Sequence, residues 1–319
     1  SRTMLMDLRT LQWDPDLCAA VGVPESMLPE IVPSSGAIGP CSGVLEGAEL
    51  TAMLGDQHAA LVGQAGFNPG DTKVTYGTGA FLVSNTGTEI VASDAGLLTT
   101  VAYQRAGEPA VYALEGSVAV AGSAVQWLRD NIGLIDSAPE VEALAATVQD
   151  NGDVYFVPAF SGLFAPYWRD DARGVFAGLT RFTDKGHLAR SVLEATAFQT
   201  RDVLAAMEKD TGNALSEVRV DGGMVANTLL MRFQADILGM DVIVPSIVET
   251  TVLGAALGAG LATGVWDGPD DIAAGWAEAI RYRPSMTEHR RGELVRGWEK
   301  ALERSLGWIE AQAESSHPR

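Results

Sequence analysis

The chain has 319 residues, 47% of them apolar and 20% charged. That favours two domains with sizeable cores and excludes a disordered chain. A net charge of −19 argues against a nucleic-acid partner, since phosphate backbones need a basic face. The most apolar stretches are Val111 to Val125, interrupted by Glu115, and the glycine-rich Gly254 to Trp266. Neither matches the roughly 20 apolar residues of a membrane span.

Cys18 and Cys41 form no metal or redox spacing and read as reduced thiols of a cytoplasmic protein. The four histidines are scattered, so no histidine metal site is expected. An anionic ligand must then be held by backbone amides, helix N-termini or a metal it brings along.

Residues 3 to 20 read as one or two helices with Leu5, Leu8, Leu11 and Leu17 on an apolar side, broken at Asp14-Pro15. There Asp14 suits an N-cap and Pro15 the first helical position. Residues 33 to 50 read as loop and short strand, and 59 to 66 as helix. A strand pair follows over 72 to 83 around Gly77-Thr78-Gly79, then strands near 96 to 101 and 111 to 114. Residues 117 to 131 read as a helix ending near Gly133, with Trp127, Leu128 and Ile132 inward. Further helices are expected over 138 to 148, 185 to 210, 226 to 238, 250 to 263 and 287 to 313, and strands over 154 to 158, 217 to 221 and 241 to 245. The strand–helix alternation after 217 gives a partly parallel sheet with crossover helices. The charges of 287 to 313 read as a solvated face, and 314 to 319 as a frayed tail.

Four stretches carry candidate chemistry. Gly55-Asp56-Gln57 puts a carboxylate at the head of a small-residue helix. It suits a base for a hydroxyl, and equally a plain helix cap. Gln57 can reach a polyol hydroxyl or face solvent. Tyr76-Gly77-Thr78-Gly79 can bring amides and a hydroxyl to phosphate oxygens, or be a simple hairpin turn. Phe81 lies two positions on and can line a pocket or the core. Gly222-Gly223 ends an apolar strand, with Asn227 near the next helix start. That suits a nucleotide at a strand's C-terminal edge, or a tight turn. It is neither the Rossmann nor the P-loop fingerprint. Gly122 and Gln126, four apart, share a helix face that could admit a flat group or simply pack.

Taken together these stretches resemble the FGGY carbohydrate kinases. The likeness runs through Ser1-Arg2-Thr3-Met4-Leu5, Gly55-Asp56-Gln57-His58-Ala59-Ala60, Thr75-Tyr76-Gly77-Thr78-Gly79, Tyr112-Ala113-Leu114-Glu115-Gly116, Gln126-Trp127-Leu128-Arg129-Asp130, Val157-Pro158-Ala159-Phe160-Ser161-Gly162, Ala165-Pro166-Tyr167-Trp168, Gln199-Thr200-Arg201-Asp202-Val203 and Val220-Asp221-Gly222-Gly223. It implies an α/β, actin-like ATPase fold built from ribonuclease-H-like domains. Residues 1–64 would be the remnant of the substrate domain and 65–319 the nucleotide-binding domain. The implied activity is ATP-dependent phosphorylation of glycerol or a related polyol, with Mg2+ on the nucleotide. By resemblance Asp56 is the catalytic base; Asp56, Gln57 and Phe81 meet glycerol; Thr78, Gly122, Gln126, Gly223 and Asn227 meet ATP or ADP. The family further implies a homodimer or homotetramer without nucleic-acid or membrane partners.

There are departures. Family members carry a long segment ahead of the Ser-Arg-Thr stretch, with the first phosphate loop and part of the glycerol grip, which is expected to be missing. His58 stands where glutamine is common. The Ser34 to Leu54 region lacks the Gly-Gly-Thr-Arg loop that binds fructose 1,6-bisphosphate in some members.

Overall fold

A mixed sheet of seven strands dominates the computed structural model, which describes residues 3–309. The chain enters it through a small lobe. Met6–Asp7 (β1) and Gln12–Trp13 (β2) form a short hairpin, followed by Pro15–Val21 (α1), then Ser35–Pro40 (β3) paired with Glu49–Ala52 (β4). Asp14 caps α1, accepting the amides of Asp16 and Leu17, and Pro15 takes the first helical position as expected. The hairpin replaces the helix expected over the first part of residues 3 to 20. The Asp7 carboxylate accepts the Arg9 amide at 2.7 Å, and this local bond turns the chain.

Asp56–Gly63 (α2) leads into Thr72–Tyr76 (β5), Ala80–Gly87 (β6), Leu98–Tyr103 (β7) and Val111–Val118 (β8). Gly122–Trp127 (α3) continues as a wider turn over Leu128–Ile132, then Glu140–Ala145 (α4), Tyr155–Val157 (β9) and Val175–Ala177 (β10). The long helix Lys185–Thr211 (α5) precedes Glu217–Asp221 (β11), Thr228–Leu238 (α6) and Asp241–Pro245 (β12). Thr250–Thr263 (α7), Pro269–Gly275 (α8), Glu278–Tyr282 (β13) and Glu288–Arg304 (α9) complete the described chain. The helix expected over 287 to 313 ends earlier, at Arg304, with Ser305 at its cap and Gly307 turning the chain at φ 73°; residues 310 to 319, with the tail, lie outside the described residues.

The sheet order is β13-β12-β11-β5-β6-β8-β7. β5, β11 and β12 run parallel, as strand–helix alternation requires, and the outer pairs are antiparallel. One face carries Val74, Tyr76, Leu82, Leu114 and Val118 against α5, α6 and α9, where Phe198 stacks on Trp298 at 5.2 Å. The other carries Val83 and Ala113 against Leu61 and Val62 of α2 and Leu257 of α7.

Several helix boundaries shift. The helix expected to start at Ser117 starts at Gly122, because Gly116, Ser117 and Val118 still pair with Leu82, Phe81 and Ala80. At its far end Leu128 is buried, but Ile132 points out, 51% exposed, since the wider turn rotates it off the core face before Gly133 closes the helix at φ 67°. The helix expected over 59 to 66 begins at Asp56 and ends at Gly63, just before Ala65 turns the chain at φ 51°.

Candidate active site

Three turns meet at the ends of β5 and β11. The β5–β6 turn presents Gly77 and Thr78. The first residues of α3 hang from it: Ala121 and Ser123 donate amides to the Thr78 carbonyl at 3.0 Å, and the Ser123 hydroxyl donates to the same oxygen at 3.0 Å. The third is Gly222-Gly223, where Gly222 sits at φ 91° and a Cβ would run into the Tyr76 backbone, so glycine alone fits this left-handed, crowded position. A Cβ on the next residue, Gly223, would meet nothing within 4 Å.

Between these turns lies a cavity of about 330 Å³. Its walls include Thr78, Gly122, Gln126, Gly223 and Asn227, all five residues expected at the nucleotide. Gln126 stands exposed one turn after Gly122 on α3. Asn227 caps α6, its side-chain oxygen accepting the Leu230 amide at 2.8 Å. The Tyr76 hydroxyl behind the wall donates to Gln234 Oε1 at 2.7 Å, and burial pushes its pKa well above the ordinary tyrosine range. Arg129 and Glu142 also line the cavity. Neither was among the expected site residues, since Arg129 lies in the wider turn after α3 and Glu142 on α4, segments that meet at the cavity only in the fold.

Asp56, Gln57 and Phe81 do not line this cavity. They gather at the other sheet face, where α2 begins. Gly55 takes the cap position, so Asp56 is the first helical residue rather than the cap. Its carboxylate accepts the Gln57 amide at 2.8 Å and the Gln57 side-chain Nε2 at 3.2 Å. Asp56 is exposed and Gln57 buried. Phe81 is 38% exposed, opposite Thr75 on β5 and Ser117 on β8. Thr75 lies three residues before Thr78, so β5 runs beneath both groups.

Sequence reading missed Lys73, a fully buried lysine near the start of β5. Its ammonium donates to Gln57 Oε1 and, at 2.9 Å, to Thr75 Oγ1. The signal was a cation inside an otherwise apolar and β-branched strand.

Among the described residues no three His, Cys, Asp or Glu side chains gather as a metal site, and no helix is long and apolar enough to cross a membrane. A larger groove of about 560 Å³ runs along α9, walled by Arg290, Arg296, Lys300 and Arg304, and holds none of the expected site residues.

Residues 72–263 match the C-terminal domain of the FGGY family of carbohydrate kinases, and residues 1–63 match that family's N-terminal domain. The chain belongs to the FGGY family. Its relatives include the glycerol kinase of Chloroflexus aurantiacus, 59% identical over 310 residues, covering 97% of this chain and 62% of that protein. The glycerol kinase of Saccharopolyspora erythraea is 60% identical over 312 residues, again covering 97% and 62%. Among solved structures, Plasmodium falciparum glycerol kinase with ADP superimposes at a TM-score of 0.90 with 39% identity, covering 97% of this chain and 62% of that one. Xylulose kinase of Lactobacillus acidophilus reaches 0.82 at 20% identity, over 94% of this chain and 61% of that one, a likeness of fold. The chain spans about 62% of the length of these curated relatives. Its fold is the FGGY α/β fold of the actin-like ATPase type, as the resemblance implied.

Proposed function

We propose that this chain carries the nucleotide site and the catalytic base of an ATP-dependent glycerol kinase. The observation that carries the reading is the convergence of Thr78, Gly122, Gln126, Gly223 and Asn227 on one cavity, with Asp56 and Gln57 set over the same strand. The glycerol kinases at 59 and 60% identity, and the ADP held by the Plasmodium falciparum enzyme, support it.

Asp56 accepts the proton of the attacking hydroxyl as its oxygen bonds to the γ-phosphorus and the bond to the β-phosphate oxygen breaks. Gln57 and Phe81 border the acceptor. The nucleotide enters between the β5–β6 turn and Gly223, where glycines leave room for it. Mg2+ brought in with the nucleotide would supply charge neutralisation for the transferred group. Residues 1–64 belong on this reading to the substrate side and 65–319 to the nucleotide side, in a cytoplasmic protein that assembles as a dimer or tetramer like others of its family.

The test is ADP release from ATP with a panel of glycerol, xylulose and gluconate, alongside MgADP binding. Glycerol-dependent turnover, lost in Asp56→Asn with ADP binding intact, supports the assignment. Preference for a sugar acceptor gives a different FGGY kinase. ADP binding without turnover for any acceptor leaves a nucleotide-binding chain and overturns the kinase reading.

A further inference from the structure

The most deeply buried cation near the site is Lys73, and its surroundings are specific. The register places Arg219, Lys73, Val83 and Glu115 in one row across β11, β5, β6 and β8. That row lies on the α2 face of the sheet. Lys73 Nζ donates to Gln57 Oε1, to Thr75 Oγ1 at 2.9 Å and to the Phe81 carbonyl at 3.4 Å. It therefore ties the start of α2 to β5 and β6, the elements that carry Gln57 and Phe81.

An ammonium can only donate, so the Gln57 atom facing it must be the amide oxygen. The NH2 group is then forced to the other side. There it meets Asp56, donating to Oδ2 at 3.2 Å, while Oδ1 accepts the Gln57 backbone amide at 2.8 Å. In a glutamine without such a partner the two amide ends could exchange, and an oxygen would then face the carboxylate. Lys73 excludes that arrangement.

We propose that Lys73 is a positioning residue for Asp56. Acting through Gln57, it fixes the carboxylate's direction and favours its ionised form. This rests on the reading of Asp56 as the base. The NH2 donor stabilises the carboxylate, and a buried positive charge behind it adds to that. Other charged or titratable groups on neighbouring elements are Asp221, buried on β11 opposite Thr75 and accepting from Gln64 and Thr250, Glu115 two strands from Lys73, Arg219 beside Lys73 but tied to the Gln64 and Ala65 carbonyls at the far end of α2, buried His58 in α2, and Glu249 ahead of α7.

The test combines 13C NMR titration of the Asp56 carboxyl carbon, assigned with Asp56→Asn, and steady-state kinetics. The variants are Lys73→Met, Lys73→Arg, Gln57→Leu and Lys73→Met with Gln57→Leu. Lys73→Met should raise the Asp56 titration midpoint by about one pH unit. It should lower glycerol-dependent kcat about tenfold, with the KM for ATP within about twofold of wild type. Lys73→Arg should recover part of both effects. Adding Lys73→Met to Gln57→Leu should shift the midpoint further by less than half of its effect alone, since the route through Gln57 is already cut. A folded Lys73→Met with an unmoved midpoint overturns the proposal. So does an undiminished shift on top of Gln57→Leu, which would mean that Lys73 acts on the carboxylate directly. The titration needs no turnover. Retained activity in Asp56→Asn would sink the base assignment, while the coupling of Lys73 to the carboxylate would still be decided by NMR.

Discussion

Gly122 donates its amide to the Gly77 carbonyl at 3.0 Å, and a Cβ on Gly122 would lie 2.5 Å from that same oxygen. Helix α3 and the β5–β6 turn are thus in backbone contact, and the cavity wall exists because neither has a side chain there. Gly122→Ala must push the turn away from α3. We expect MgADP affinity to fall at least tenfold and Tm to drop by several degrees, because forced overpacking costs about 1–3 kcal/mol. Calorimetric titration and thermal denaturation measure the two effects.

A similar contact sets the height of the base. Helix α2 lies directly on α7, where a Cβ at Gly254 would overlap the Ala59 carbonyl and one at Gly63 the Thr250 carbonyl. Gly258 differs: its Cβ would meet Leu54 Cδ1 at 3.0 Å and Ala52 Cβ at 3.3 Å, both side-chain atoms. Gly254→Ala should therefore destabilise by about 2–3 kcal/mol and Gly258→Ala by clearly less. Chemical denaturation of both variants checks the ranking.

The fold should also carry a pH signature. Glu194 on α5 is buried, and burial pushes its carboxyl up to about 7 although Arg190 donates to it at 2.8 Å. In the unfolded chain it titrates near its ordinary value of about 4.3. Between those values the folded protein holds a proton that the unfolded chain has released. This contribution to stability therefore falls as pH rises through the window and levels off above about 7. Glu194→Gln removes it. The variant's stability relative to wild type should rise between pH 5 and pH 8 by about 2–3 kcal/mol at most, read as a rise in its relative Tm. An offset equal at both pH values would contradict the assignment.

The sheet and its crossover helices were legible because each is a local pattern. The caps Asp14 and Asp184, the closing glycines 22 and 212 and the long apolar stripe of α5 all mark their own elements. The nucleotide wall was legible for a related reason: its glycines and Thr78 lie in turns, where residue type is dictated by backbone geometry. Lys73 was not, because a buried lysine has meaning only through Gln57, sixteen residues away and in another element. The Leu128–Ile132 turn was missed because periodicity assumes 3.6 residues per turn and this segment widens. The first hairpin was missed because apolar residues at helical spacing also fit two short strands joined by an Asp7 turn.

On the proposed reading a nucleotide fills the cavity beside Gly223. Gly223→Val separates binding from folding, since a side chain there would enter the cavity and touch nothing else within 4 Å at its Cβ. MgADP titrated into wild type and variant gives the answer. One-site binding to wild type is expected, weakened at least tenfold in a variant whose Tm without ligand is unchanged. Equal affinity in the two proteins, or no binding to wild type, would contradict it.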